Sequence, residues 1–199
     1  MHTYPDQMTS MVDYYDLKKA IDVLENDGLI LYPTDTNWSI GCDASSEVAV
    51  TRAYHLKNRP YELPMTVLVD SIEMLRDYVE HLHPRIETLL SFHLRPLTIV
   101  YDKATSLPER LTAADGSIAI RIPQDDFCRE LIQRFGRPIV ASSANIEGAS
   151  RPQHFGEISS EIIQGVDLVM PYRRADRSIG EPSVVARLSD KAELIFIRE

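Results

Sequence analysis

Helix-type and strand-type patterns alternate along the chain, and this alternation limits the possible folds more than any other feature. Residues 16–27 carry apolar side chains at helical spacing and are followed by Gly28, a typical helix stop. The apolar residues 29–32 then predict a buried strand that ends at Pro33. Further predicted strands lie at 65–69, 97–101, 118–122, 138–141, 166–170, 183–188 and 193–197. Further predicted helices lie near 46–56, after a capping box formed by Asp70 and Glu73, from Pro84, from Asp125 and over 157–164. This order predicts a single α/β domain with a twisted, open, mixed sheet.

Length, composition and cysteine content exclude several classes of protein. A chain of 199 residues with 44% hydrophobic residues is long enough for a well-buried core. It has no apolar run near the roughly 20 residues of a membrane span, and residues 1–15 do not resemble a secretory signal. The two cysteines, Cys42 and Cys128, fit reduced thiols, and the histidines have no metal-ligand spacing. We predict a cytoplasmic protein without a metal site or membrane segment, with an N-terminal extension over 1–15 and one domain over 16–199.

The net charge of −9 limits the partners of the chain. A general nucleic-acid binder is expected to be basic, because much of its affinity comes from neutralising phosphates. Any contact with tRNA or double-stranded RNA is therefore expected in a local basic cleft.

Two short motifs are the strongest candidates for chemistry. Lys57 and Arg59 lie one residue apart at the end of a predicted helix, and Ser143 and Asn145 follow a buried strand. Lysine supplies a mobile charge, arginine a planar fork for phosphate or carboxylate, and Ser and Asn supply neutral donors and acceptors. Taken alone, the cations also fit a solvated helix end and the Ser-x-Asn fits a cap.

The predicted sheet brings further polar residues toward the same place. Ligands of open α/β sheets collect beyond the strand ends, where loops converge. Thr34 and Thr36 lie in the loop after the first strand, and the strand at 118–122 places Arg121 on the face opposite its isoleucines. These residues, with the two motifs, predict one site at the strand ends.

The chain resembles a known family, the YrdC-like threonylcarbamoyl-AMP synthases, over roughly residues 16–198. The resemblance rests on motifs that occur in the family's order, although each alone is weak evidence. They are Pro33-Thr34-Asp35-Thr36, Gly41-Cys42-Asp43-Ala44, Lys57-x-Arg59-Pro60, the segment 64–69, Pro96-Leu97-Thr98, Ala119-Ile120-Arg121-Ile122-Pro123, Ser142-Ser143-Ala144-Asn145-x-x-Gly148, Pro182-Ser183-Val184-Val185 and Ile197-Arg198.

The resemblance implies a YrdC-like fold with a large concave, locally positive cleft. It implies that ATP, L-threonine and bicarbonate are converted to threonylcarbamoyl-AMP and pyrophosphate. That product is used for N6-threonylcarbamoylation of adenosine 37 in tRNA, with a tRNA threonylcarbamoyl-transfer complex as a partner. Some relatives also bind tRNA or double-stranded RNA.

The resemblance also implies a role for each site residue. Lys57 and Arg59 would hold the phosphates and the carbamate, with Arg121 as a further cation. Ser143 and Asn145 would orient the nucleotide phosphate and the carbamoyl end.

The remaining implied site residues lie outside the two motifs. Ser183 would lie near the carbamoyl end, and Arg198 would contact the phosphates. Thr34 and Thr36 would bind threonine. Magnesium is expected with ATP, carried mainly by the phosphates, because the sequence offers no acidic cluster as its ligand set.

Three departures from the family pattern keep a second function open. Asn37-Trp38-Ser39 replaces a Val-Tyr-Gly, Leu94-Arg95 replaces a Pro-Gly, and Arg187 reverses an acidic charge. They favour a divergent, YciO-like paralogue that binds nucleotide or double-stranded RNA in the same cleft without synthase activity.

Overall fold

The computed structural model describes residues 14–178 and 180–198. Of the predicted N-terminal extension, residues 1–13 lie outside this part, and residues 14 and 15 open the first helix. Six α-helices are described, namely α1 (Tyr14–Glu25), α2 (Glu47–Lys57), α3 (Ile72–Tyr78), α4 (Pro84–Phe92), α5 (Asp126–Phe135) and α6 (Ser160–Gly165). In the described ranges, no helix has the length and apolar character needed to cross a membrane.

Nine described strands form one mixed sheet, which confirms the predicted α/β architecture. They are β1 (Ile30–Pro33), β2 (Trp38–Gly41), β3 (Thr66–Leu68), β4 (Leu97–Tyr101), β5 (Ile118–Arg121), β6 (Ile139–Ser143), β7 (Leu168–Val169), β8 (Val184–Leu188) and β9 (Leu194–Arg198). Their order across the sheet is β7-β1-β2-β6-β3-β5-β4-β8-β9. The sheet is mixed because β3 runs parallel to β5 but antiparallel to β6.

Strand β2 was missed by the sequence analysis, which treated the residues between Thr34 and Gly41 as a loop. β2 forms an antiparallel hairpin with β1 and also pairs with β6. All four of its residues are buried. A short strand with buried Ser and Gly positions lacks the alternation that identifies a half-buried strand.

Helices cover both faces of the sheet. On one face, α1 and α5 pack on β1, β3 and β6 through residues such as Leu17, Phe127 and Leu131. On the other face, α2, α3 and α4 pack on the central strands through residues such as Val50 and Leu75. The core is therefore a three-layer arrangement with the central strands in the middle.

Cap residues explain where several helices begin and end. Asp125 caps α5 through the amide of Cys128, and Gly136 ends it in the left-handed conformation at φ 74°. The predicted capping box at Asp70 is wrong, because the Ser71 side chain caps α3 by accepting from the amide of Met74. The predicted start of α6 at residue 157 is also wrong, because residues 155–157 form a 3-10 turn and α6 begins at Ser160.

Gly41 permits close contact between β2 and a buried tyrosine. A Cβ at this position would lie 2.4 Å from Cε1 of Tyr32 and 3.0 Å from the carbonyl oxygen of Val140. The Tyr32 ring is held in place, because its hydroxyl donates to the same Val140 oxygen at 3.0 Å.

We therefore expect Gly41→Ala to lower the free energy of unfolding by about 1–3 kcal/mol through overpacking. Urea unfolding measures the change. Val48→Ala, at a side chain that is 58% exposed on α2, is the control and should change it by less than about 0.5 kcal/mol. Equal effects of the two substitutions would contradict this account of Gly41.

Candidate anion-binding cleft

A polar cavity of about 210 Å³ lies where the central strands of the sheet meet. Pairing across the strands places Ser39 opposite Ser143 and Arg121 opposite Thr98. Residues that face each other across paired strands lie on the same side of a sheet. The residues that line the cavity come from five strands and four loops: Thr36, Ser39, Arg59, Pro64, Met65, Thr66, Arg121, Ala141, Ser142, Ser143, Arg151, Ser183 and Arg198.

Arg121 supplies a buried cation at the floor of the cavity. Its guanidinium lies 3.2 Å from a carboxylate oxygen of Asp35, with both side chains at most 7% exposed. Nη1 donates to the Thr36 hydroxyl at 3.1 Å. Its buried Nε has no hydrogen-bond partner among the described residues. A buried donor of this kind is typical of a position where a ligand supplies the acceptor.

Arg59 reaches the cavity because α2 ends two residues before it. Lys57 is the last helical residue, and Asn58 takes the left-handed conformation at φ 50°. Arg59 Nε then donates to the carbonyl of Leu63 at 2.8 Å, and Nη1 forms an ion pair with Glu147. The guanidinium is thus held in one orientation at the cavity wall.

Lys57 lies beneath this wall and does not line the cavity. It is 1% exposed, and its ammonium donates to the backbone carbonyls of Ser143 and Asn145 at 2.5 and 2.6 Å. The pKa of Lys57 is lowered to about 8, chiefly by burial and then by the nearby charge of Arg59, while Glu147 opposes the shift. Lys57 therefore joins the Lys57-x-Arg59 and Ser143-x-Asn145 motifs to each other.

The Ser143 and Asn145 side chains order the segment after β6. The Ser143 hydroxyl lines the cavity and donates to Oδ1 of Asn145 at 2.6 Å. Asn145 Nδ2 donates to the carbonyls of Ile146 and Ala149, both at 2.9 Å. Asn145 thus supports the loop, while Ser143 presents its oxygen to the cavity.

The opposite wall comes from the segment before β8 and from the last described residue of β9. The Ser183 hydroxyl lies 2.9 Å from that of Thr98, and both side chains are buried. Arg198 donates from Nη2 to the Ser183 carbonyl at 2.8 Å and to its hydroxyl at 3.0 Å. Both predicted residues therefore line the same cavity.

Of the two residues predicted to bind threonine, only Thr36 lines the main cavity. Thr36 lines the main cavity and a smaller one beside it, which also contains Thr34 and Trp38. The Thr34 hydroxyl donates to the carbonyl of Asn37 at 2.7 Å and accepts from the Thr36 amide at 3.2 Å, so it stabilises the β1–β2 turn.

Sequence reasoning therefore brought six lining residues together and missed several others. The six are Thr36, Arg59, Arg121, Ser143, Ser183 and Arg198. Ser39, Thr66, Ser142 and Arg151 were not predicted as site residues. The hydroxyl residues belong to short strands whose polar positions gave no distinct signal, and Arg151 follows a loop whose path the sequence does not give.

The described residues offer no group of three or more His, Cys, Asp or Glu side chains suited to a metal ion. Of the carboxylates at the cleft, Asp35 lies against Arg121, and Glu147 pairs with Arg59. These residues do not form a ligand set for magnesium, which prefers several oxygen ligands in octahedral geometry.

The fold and the cavity define an α/β protein with a cationic, hydroxyl-lined cleft suited to an anionic ligand. The sequence profile of the Sua5/YciO/YrdC family, described as "Telomere recombination", matches residues 22–199. Threonylcarbamoyl-AMP synthase of Enterobacter sp. (strain 638) is 32% identical over 157 residues, which are 77% of this chain and 83% of the relative. The chain therefore belongs to the Sua5/YciO/YrdC family, and the family predicted from the motifs is confirmed.

Another relative agrees with this assignment, and two solved structures share the fold. Threonylcarbamoyl-AMP synthase of Xanthomonas euvesicatoria pv. vesicatoria (strain 85-10) is 31% identical over 163 residues, 80% of this chain and 87% of the relative. P. abyssi Sua5 complexed with L-threonine superposes with a TM-score of 0.81 at 26% identity, over 92% of this chain but 54% of the Sua5 chain. E. coli YciO gives a TM-score of 0.75 at 21% identity, over 92% and 88%, and shares the fold.

The lowered pKa of Lys57 leads to a pH-dependent stability. The unfolded chain holds this proton up to the ordinary value of 10.5, whereas the folded protein releases it near pH 8. Between about pH 8 and pH 10.5 the unfolded state binds more protons than the folded state. The contribution of Lys57 to the free energy of unfolding therefore rises with pH over this range.

We expect the difference in free energy of unfolding between the wild type and Lys57→Met to increase in favour of the wild type from pH 7 to pH 10. Urea unfolding of both proteins across this range tests it, and the subtraction removes the other titrating groups. A difference that stays constant with pH would show that Lys57 titrates normally in the fold.

Proposed function

We propose that this protein is an L-threonylcarbamoyladenylate synthase, which makes threonylcarbamoyl-AMP from L-threonine, bicarbonate and ATP. The product would serve N6-threonylcarbamoylation of adenosine 37 in tRNA. The main support is the cleft itself, which combines the Lys57-x-Arg59 and Ser143-x-Asn145 motifs in a chain whose curated relatives are threonylcarbamoyl-AMP synthases.

The reaction requires no protein nucleophile. The threonine amine and bicarbonate give a carbamate and water, and a carbamate oxygen then attacks the α-phosphorus of ATP. The bond from that phosphorus to the bridging oxygen breaks, and its electron pair leaves with pyrophosphate. The protein has to bring together several anionic groups and stabilise the charge that moves between them.

The described residues fit this task in two ways. Arg59 and Arg121 supply cations that are held in fixed orientations by hydrogen bonds, which reduces the reorganisation needed during the reaction. The hydroxyls of Ser39, Ser143 and Ser183 line the same cavity and add no charge. Lys57 acts as a positioning residue, because its ammonium contacts the carbonyls that follow β6.

Threonine is expected beside Thr36, at the inner end of the cleft. Thr36 is 6% exposed and lies against Arg121, which suits a carboxylate next to a short hydroxyl side chain. P. abyssi Sua5, which has the same fold, was solved in complex with L-threonine. Magnesium would enter with the ATP phosphates, since the cleft carboxylates do not form its ligand set.

A cytoplasmic location, the tRNA-modifying partner complex and contact with tRNA or double-stranded RNA remain parts of this proposal. Since the chain is acidic overall, an RNA phosphate would have to meet the cationic cleft. The alternative is a paralogue that binds nucleotide or RNA there without making the adenylate. It is favoured by Ser39, one of the departures from the family pattern, because its side chain lines the cavity.

The purified protein should release pyrophosphate from ATP only when both L-threonine and bicarbonate are present. Arg59→Ala should lower kcat/KM by about 100-fold or more, because it removes a fixed charge from the transition state, whereas Arg129→Gln on the exposed side of α5 should not. Release that ignores both omissions would refute the synthase proposal. Nucleotide binding without any release would favour the paralogue.

Thr36→Val should raise the KM for threonine about 10-fold and leave that for ATP within about 2-fold, since it removes one hydroxyl near a cation. Trp38 is the single tryptophan of the chain and is 4% exposed beside Thr36. Its fluorescence can follow threonine binding directly. Thr88→Val, at an exposed position of α4, is the control. Unchanged threonine binding in Thr36→Val would remove Thr36 from the site.

A further inference from the structure

A second cavity, of about 350 Å³, lies on the other face of the sheet from the anion-binding cleft. Strand β4 separates the two. Its Thr98 contacts Ser183 at the cleft, whereas Ile99 and Tyr101 line the second cavity. Successive side chains of a strand point to opposite faces of a sheet, and the two cavities share no lining residue. The second cavity has the size of a small-molecule site.

The floor of this cavity is apolar except for one hydroxyl. Ile86, Ile99 and Leu188 supply aliphatic surface. Tyr101 is 7% exposed, and its hydroxyl has no hydrogen-bond partner among the residues that the structure describes. The oxygen is not sealed from solvent, so it is reached through the cavity that Tyr101 lines. A mostly buried polar group without a partner is typical of a position where a ligand supplies one.

The Tyr101 hydroxyl is neutral. Burial raises the pKa of Tyr101 above its ordinary value, because the charged phenolate would lose its hydration. A neutral phenol can donate one hydrogen bond and also accept one. The charge of the ligand is therefore decided by the other groups at the cavity.

The rim of the cavity carries three carboxylates and one lysine. Lys103 pairs with Glu80 at 2.8 Å, which leaves Asp102 and Asp190. Asp102 lies 3.6 Å from Arg187, whose side chain is outside the cavity lining. The exposed carboxylate of Asp190 has no ion pair or hydrogen bond in the described part of the chain. The mouth is thus negative, which favours a cation over an anion.

His83 at the rim does not reverse this sign. Its Nδ1 accepts a hydrogen bond from the amide of Arg85 at 3.1 Å as the cap of α4. A ring nitrogen that accepts carries no proton, so this imidazole is neutral. The His81 ring lies edge-on to it, with 6.4 Å between the ring centroids.

Hydrogen bonds between the walls hold the cavity open before any ligand binds. The Glu80 amide donates to the carbonyl of Lys103 at 3.1 Å. Nη1 of Arg85 donates to the carbonyl of Ala192 at 2.6 Å, which joins α4 to the β8–β9 turn. A preformed cavity of this kind reduces the ordering cost of binding.

We propose that this cavity is a second ligand site, which binds a small organic cation with a protonated primary amine on an apolar body. The apolar body lies on Ile86, Ile99 and Leu188. The ammonium has three donors, one of which the Tyr101 oxygen accepts. The rim carboxylate of Asp190 attracts the charge across several ångströms. No residue of the cleft takes part, so the second site does not depend on the proposed function.

Titration with 2-phenylethylammonium tests the site, with 3-phenylpropionate as a probe of similar body and opposite charge. NMR of methyl-labelled protein at pH 8, where an ordinary imidazole is neutral, follows the Cδ1 methyls of Ile86 and Ile99. We expect saturable shifts with a Kd of about 1 mM, a common affinity for a ligand of about ten non-hydrogen atoms. The carboxylate probe should bind at least about 10-fold more weakly. The absence of saturable shifts at these methyls, or equal affinity for both probes, refutes the proposal.

Two variants test the residues that are expected to recognise the ammonium. Tyr101→Phe removes only a hydroxyl, and Asp190→Asn removes only a charge. Each should weaken binding of the cation about 3- to 10-fold, the effect of losing one polar contact. Glu161→Gln, which also removes an exposed negative charge, is the matched control and should bind as the wild type does.

Tyr101→Phe should keep the urea unfolding midpoint of the wild type, because the hydroxyl has no partner among the described residues. A lower affinity in this variant then reports a lost ligand contact and not a damaged fold. Wild-type affinity in both Tyr101→Phe and Asp190→Asn would overturn the assignment of the site.

The binding measurements need neither ATP nor threonine. If the protein makes no threonylcarbamoyl-AMP but the methyl shifts saturate, the synthase proposal fails and the second site stands. If the synthase reaction occurs and the shifts do not saturate, the second site fails alone.

Discussion

The buried ammonium of Lys57 is the contact on which the cleft depends. It donates to the carbonyls of Ser143 and Asn145, and the Lys57 carbonyl accepts from the amide of Glu147. These bonds join the end of α2 to the segment after β6, so two motifs that are far apart in sequence become one wall. A buried charge is costly unless its donors are satisfied, and the lowered pKa of Lys57 reflects that cost. The cost is offset by hydrogen bonds that specify how the wall is built.

The same wall explains how an acidic chain has a cationic cleft. Arg59, Arg121, Arg151 and Arg198 line one cavity, while the rest of the molecule carries the excess of carboxylates. Glu147 pairs with Arg59 and holds its guanidinium in place. Local charge therefore differs in sign from net charge. An anionic ligand responds to the local charge, because exposed charges farther away than about 10 Å are screened by salt.

Most of the fold could be predicted from periodicity, and part of the site from residue chemistry. For the helix over 126–135, the apolar spacing indicated its position, and the residue types of Asp125 and Gly136 indicated its two ends. Strand β2 was missed because its pattern depends on two neighbouring strands that cover it on both sides. The roles of Lys57 and Asn145 stay predictions, and their partners are backbone carbonyls. Such partners are chosen by tertiary distances, which residue types do not reveal.

The sequence by itself determined the α/β class, the family and six of the residues that line the cleft. The side-chain periodicities of strands and helices are local properties, and ordered motifs carry the family signal without any coordinates. Only the tertiary structure decided which cations are partnered and which are free. Arg59 and Arg121 have carboxylate neighbours, whereas Arg151 has none among the described residues. The difference arises because ion pairing depends on distances of a few ångströms between segments that are far apart in the chain.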